Sequence, residues 1–119
     1  MDAIKAIPKH LLIHDITIHK LEAPTNRMAS KIIGAGTEIK SVRIEPSEKL
    51  IRGKNQVDIK RDSILFFDCK NSSPRDTVFV VDDIVKWNSL TYQVVATEPL
   101  YDKKKLHHYE IGLIKYGQD

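Results

Sequence analysis

The chain holds one cysteine, Cys69, so an internal disulfide and a CxxC metal site are both excluded. Such cysteine usage is expected of a protein that folds in a reducing cytosol. No apolar run approaches the ~18 residues of a membrane-spanning helix, and no membrane partner is expected. Residues 1–13 include Asp2, Lys5 and Lys9 and lack a long apolar centre, so they do not read as a signal peptide. Aromatics are few, at 7% of residues, which leaves little for a surface built on base stacking. Charge of one sign is lacking too. The 19 Lys and Arg stand against 16 Asp and Glu, a net +3 that permits contact with nucleic acid or an acidic partner without demanding either. Internal repeats and low-complexity stretches are absent.

What is present suits one compact domain over residues 1–119. A hydrophobic content of 41% argues against global disorder, and the length allows a core without staples. The most informative stretch is Asp82 to Ile114. Asn88-Ser89 forms a two-residue turn signal, since Asn tolerates positive φ. That turn sets Trp87 opposite Leu90 and Val85 opposite Tyr92. Alternation then puts Val85, Trp87, Leu90, Tyr92 and Val94 on one inward face. Glu98-Pro99 is expected to stop the pairing, because Pro has no N–H for the ladder. Asp102 to Lys105 reads as a charged loop. In Leu106 to Ile114, Tyr109, Ile111 and Leu113 share the inward face with Phe66.

Upstream, Met1 to Ile7 reads as a loose arm and Pro8 to Ile13 as a short helical turn, so residues 1–14 form an N-terminal arm. Asp15 to Leu21 alternates as a strand with Ile16 and Ile18 inward. Ala23 to Ser30 is a loop, Lys31 to Gly36 is a weak strand or turn in which Gly34 and Gly36 bracket a flexible point, and Thr37 to Glu45 is a strand ended by Pro46. Residues 46–57, PSEKLIRGKNQV, form the longest polar piece, read as a loop or as a long hairpin with a solvated tip. They carry Lys49, Arg52 and Lys54 against Glu48. Ile59 to Asp68 contains ILFFD, apolar on both faces and therefore a strand covered on two sides. Cys69 to Asp76 is a turn cluster, and Thr77 to Val81 is a β-branched run with two readings: it pairs with ILFFD or simply feeds the final meander. Six or seven short strands separated by turns point to an all-β barrel or sandwich.

Catalytic chemistry finds no convergent set. His10 and His14 have i, i+4 spacing, but the helix there is too short and HExxH is absent. His107 and His108 are adjacent and should face opposite sides of a strand. Cys69 has no neighbouring base, and Ser72-Ser73 has no GxSxG frame. Gly34-Ala35-Gly36 is not a phosphate-binding fingerprint. The expectation is a protein with no catalytic residue, no metal and no cofactor. A small barrel that binds nucleic acid is the alternative.

The run ILFFDCKNSSP together with VDDIVKWNSLTYQVVATEPLYDKKKLHHYEIGLI resembles the minor capsid proteins of tailed phages and prophages of Gram-positive bacteria. The resemblance covers Val42 to Ile114, and its most specific block is PLYD…LHHYEIGLI. It implies a single-domain β-barrel and a head-completion protein of the stopper type. Such a subunit forms a homo-oligomeric ring in the head–tail connector of the virion, after assembly in the host bacterial cytoplasm, and can be monomeric in isolation. Its implied partners are the portal and adaptor proteins, the tail-terminator protein, and packaged double-stranded DNA by non-specific contact. The long loop between barrel strands would then face the channel, with Lys49, Arg52 and Lys54 near the DNA.

Overall fold

The computed structural model describes residues 6–22, 32–52 and 58–116. The described residues form six strands: β1 (His14–Glu22), β2 (Ile32–Arg52), β3 (Asp58–Asp68), β4 (Ile84–Trp87), β5 (Leu90–Asp102) and β6 (Lys105–Lys115). All neighbours are antiparallel. The hydrogen-bonded order β1-β2-β3-β6-β5-β4 returns to β1, so the sheet closes on itself in the order of a closed barrel. A single 3₁₀ turn, Lys9–Leu11, follows Pro8, and no described helix is long and apolar enough to cross a membrane.

Alternation of β-branched and aromatic residues fills the interior. Ile16, Ile18, Ile39, Val42, Ile44, Leu65, Phe67, Phe79, Val85, Tyr92, Val94, Ile111 and Leu113 form one buried cluster. The β4–β5 hairpin has the expected register, with Trp87 opposite Leu90 and Val85 opposite Tyr92. Asn88 and Ser89 have φ of 51° and 67°, the pair of positive values that a type I′ turn requires. At the hairpin end burial fades. Trp87 is half-buried against the core, and Leu90 is 40% exposed rather than inward.

Several expectations are corrected. Phe67, not Phe66, enters the core, because Phe67 pairs with Tyr109 and Leu65 with Ile111 on the inward face of β6. Pro99 does not end β5, since Pro99 pairs with Tyr109 and the strand runs to Asp102. The four-residue β4 leaves that part of β5 as an edge, where a missing N–H is tolerated. Pro46 likewise does not end β2, which pairs Pro46 with Ser63 and, after a bulge, Lys49 with Arg61. Of the two readings of Thr77 to Val81, pairing with ILFFD is excluded, because both edges of β3 are already taken by β2 and β6, and the segment feeds the final meander instead. Only its Phe79 is buried, edge-on to Phe67 at 5.6 Å between ring centroids. Of strand or turn, the stretch around Gly34 and Gly36 is strand, and both glycines lie inside β2. A Cβ on Gly36 would fall 2.5 Å from Cε1 of His19, and one on Gly34 would fall 2.6 Å from Oε2 of Glu22. The glycines clear room for side chains of β1 crossing over β2.

The single long strand β2 serves two partners. Residues up to Val42 pair with β1, and residues from Val42 onward pair with β3. The change of partner coincides with a register shift and with Ser41 at φ 61°, whose N–H donates to Asp15 Oδ1 at 3.1 Å.

The described part of the N-terminal arm is tied to the barrel. Ile7 N donates to Asp68 Oδ1 at 2.9 Å, and Asn71 Nδ2 donates to Ile7 O at 2.7 Å. Leu12 is buried outside the central cluster, and Ile7, Leu11 and Leu12 line a groove with Phe66. The arm therefore covers the second apolar face of ILFFD, which explains why that run has no polar alternate residues. Ile7 is a fixed part of the fold rather than the end of a loose arm.

Candidate functional site

Beyond Ser63, the last β3 residue paired with β6, β3 continues through Asp58–Asp62 with only β2 beside it. Five residues at ~3.3 Å per residue carry this two-stranded hairpin about 17 Å past the sheet. Residues 46–52, expected as loop or hairpin shaft, are thus strand. Lys49 pairs with Arg61, Leu50 with Lys60, and Arg52 with Asp58. Lys54 and the rest of 53–57 lie outside the described residues.

The pairing puts cations across from one another. In the ladder Lys49 is the partner of Arg61. Arg61 does not stand out in the sequence. It continues the inward face Ser63, Leu65, Phe67 and is only 9% exposed. Its Nη2 donates to Ser47 Oγ at 3.1 Å, while its Nε has no partner among the described residues. The signal that could find it is period-2 alternation from Arg61 to Phe67.

At the other end of the sheet, β5 and β6 run past the Asp68–His108 pair to a second hairpin end. Asp102 pairs with Lys105 there, and Lys103, Lys104 and Lys105 are exposed. The two basic hairpin ends therefore point in opposite directions along a molecule 57 Å in its longest dimension.

The histidines do not gather into a site. His10 is exposed, and His14 Nδ1 accepts from Ile44 N at 3.1 Å. The His107 and His108 Nδ1 atoms lie 2.8 Å apart, closer than strand alternation predicts, and His108 Nε2 meets Glu110 Oε2 at 3.1 Å. Burial, followed by the Asp68 charge, pushes the Cys69 thiol above its ordinary value, which makes it a poorer nucleophile.

His14 has a measurable consequence. Its ring stands edge-on to Trp87 at 4.7 Å, and burial first, then Arg43, lower its pKa from 6.5 against an opposing pull from Asp15. The folded state thus prefers neutral His14, whose Nδ1 must accept rather than donate. Its contribution to stability is fully present above pH 6.5 and is lost as pH falls through the lower folded value. Because Trp87 is the only tryptophan, its emission should change in that acid window, and His14→Gln should abolish the change. An unchanged titration in the variant would contradict this assignment.

The model of the minor capsid protein family matches residues 8–113. The chain belongs to that family. It is a minor capsid protein of phage origin, hence a structural protein of the virion. The matched span takes in nearly all of the six strands and both basic hairpin ends of this minor capsid protein. No curated protein matches the chain.

Proposed function

We propose that this minor capsid protein is a stopper-type head-completion subunit of the head–tail connector. In this reading, copies form a ring below the portal and adaptor proteins. The ring closes the DNA channel after packaging and offers the surface to which the tail-terminator end of the tail attaches. The protein acts as a structural part and catalyses no reaction. The observation that carries the reading is the basic β2–β3 hairpin projecting about 17 Å beyond a closed sheet in a member of this family.

A hairpin of this length can reach from a ring subunit toward a central channel. Lys49, Arg52 and Lys54 then stand near packaged double-stranded DNA. Cations near phosphate gain from counterion release without reading bases, which suits a contact that must hold DNA of any sequence. The pairing beyond Ser63 adds little to the core, so the hairpin can move against the barrel at small cost. The alternative of a free-standing nucleic-acid module is less well supported. Phe67, Phe79 and Tyr92 are buried, and Tyr101 is the one large aromatic exposed by 60%, so a stacking platform is missing among the described residues.

The test is a shortened hairpin in which Asn-Gly replaces Leu50 to Lys60, joining Lys49 to Arg61 through a two-residue turn. The barrel should fold, since the core cluster contains none of the removed residues. Heads carrying the variant should package DNA and lose it before tails attach. Full DNA retention in tail-less heads would reject the channel role.

A further inference from the structure

The ring of strands has a seam. β4 pairs with β5 only from Leu90 to Gln93, and the contact ends where Asp82 N donates to Val94 O (2.9 Å) and Val94 N to Asp83 O (2.8 Å). Beyond that point the outer edge of β5 meets no strand. Thr77 to Val81 runs into this seam without joining the sheet. Burial alternates as in an extended chain up to Val80: Phe79 points inward, while Val78 and Val80 are 65% and 46% exposed; Val81, in the turn that follows, is 48% exposed. The segment is held at its end by Asp83, a buried carboxylate that takes Lys20 Nζ at 2.7 Å and Val80 N at 2.9 Å. Among the described residues, the N–H groups of Val78, Phe79 and Val81 have no acceptor. Exposed β-branched side chains beside unpaired backbone groups are a template for strand addition.

The charge around the seam is mainly acidic. Asp76, Asp82 and Glu98 are exposed there, against Arg75 and Lys20, and Lys20 is paired with the buried Asp83. The projecting hairpin of the same chain has the opposite character. Lys49, Arg52, Lys60 and Arg61 outnumber Glu48, Asp58 and Asp62, and neither of its outer edges is paired with a strand, β2 beyond Val42 or β3 before Ser63. We propose that the seam at Thr77 to Val81 receives the shaft of the β2–β3 hairpin from a second copy of this chain, strand edge to strand edge. The contact is head-to-tail, because hairpin and seam are different surfaces, and such contacts close into rings when the rotation between copies allows it. Pro99 protects the neighbouring edge of β5, which directs addition to the valines. The contact uses the shaft alone and does not depend on a channel role for the hairpin.

The test uses the purified full chain with Cys69→Ser, alone and without DNA. One preparation carries Val78→Cys and the other Lys49→Cys. Mixed at high concentration under mild oxidation, the two should form a disulfide-linked pair several-fold faster than either alone. Adding Asp76→Lys and Glu98→Lys to the Val78→Cys chain should suppress the cross-link. Adding Arg52→Glu to the Lys49→Cys chain should restore it with that charge-reversed partner, whereas Arg52→Lys, which keeps the charge, should leave the original cross-link unchanged. Equal cross-linking of Val78→Cys chains with themselves, no cross-link in the mixture, or indifference to the charge reversals would each overturn the proposal. The cross-link is read on the purified chain without heads or DNA, so it can hold or fail whatever role the hairpin has in the channel.

Discussion

Phe67→Ala should destabilise the protein by about 3–5 kcal/mol, the range for emptying a buried aromatic site. Phe66→Ala should cost about a third of that, because less of its area leaves water on folding. Phe67 is fully buried, stands edge-on to Phe79 at 5.6 Å and lies 6.4 Å from the Tyr109 ring. It joins the core of the closed sheet to the segment that enters the seam. Phe66 faces the groove beneath the N-terminal arm and is only half-buried. Urea unfolding followed by Trp87 fluorescence measures both variants. A larger loss for Phe66→Ala would mean that the register of β3 against β6 is shifted by one residue.

Asp68→Ala should cost about 3 kcal/mol, although Asp68 has no cationic partner among the described residues. Its fully buried carboxylate accepts three backbone N–H groups: Ile7 at 2.9 Å, Lys70 at 3.0 Å and Asn71 at 2.8 Å. Removing it leaves these donors unsatisfied where water is excluded, and each such group costs about 1–3 kcal/mol when truly buried. Partial access to water at the arm keeps the sum near the lower end. Asp68→Asn has one acceptor oxygen in place of two. It should fall between, holding either the arm or the turn but not both. Amide exchange at Ile7 should speed up in both variants. Unchanged exchange at Ile7 would show that the arm is held by its apolar contacts alone.

The β4–β5 hairpin is readable in the sequence because two independent signals agree there. Asn88-Ser89 marks the turn, and the alternation on each side matches one register. Where the two apolar faces are equal, as in ILFFD, alternation cannot choose between Phe66 and Phe67. That choice is made by pairing with Tyr109 and Ile111, more than forty positions away in the chain. Pro46 and Pro99 mislead for a related reason. Proline stops a ladder only where its missing N–H would face a partner, and which edge is free is a property of the closed sheet. The β-branched run at Thr77 has the composition of a strand, but both edges of ILFFD are taken by β2 and β6.

The candidate site is half legible. Lys49, Arg52 and Lys54 stand out as a basic cluster, and a long hairpin is one of the two readings that residues 46–57 allow. Arg61 is hidden inside a strand pattern, and only the register of β2 against β3 brings it opposite Lys49 in the ladder. The arm's attachment to Asp68 is not legible either, because it depends on a side chain meeting backbone 61 positions earlier.

The central claim is position in the virion. The most direct measurement is electron microscopy of purified connectors in which this chain carries a compact label at its C-terminus. The account predicts label density in a ring between portal and tail, on the tail side of the adaptor, in every tailed particle. Label distributed over the head shell, or along the tail tube with none at the neck, would contradict it.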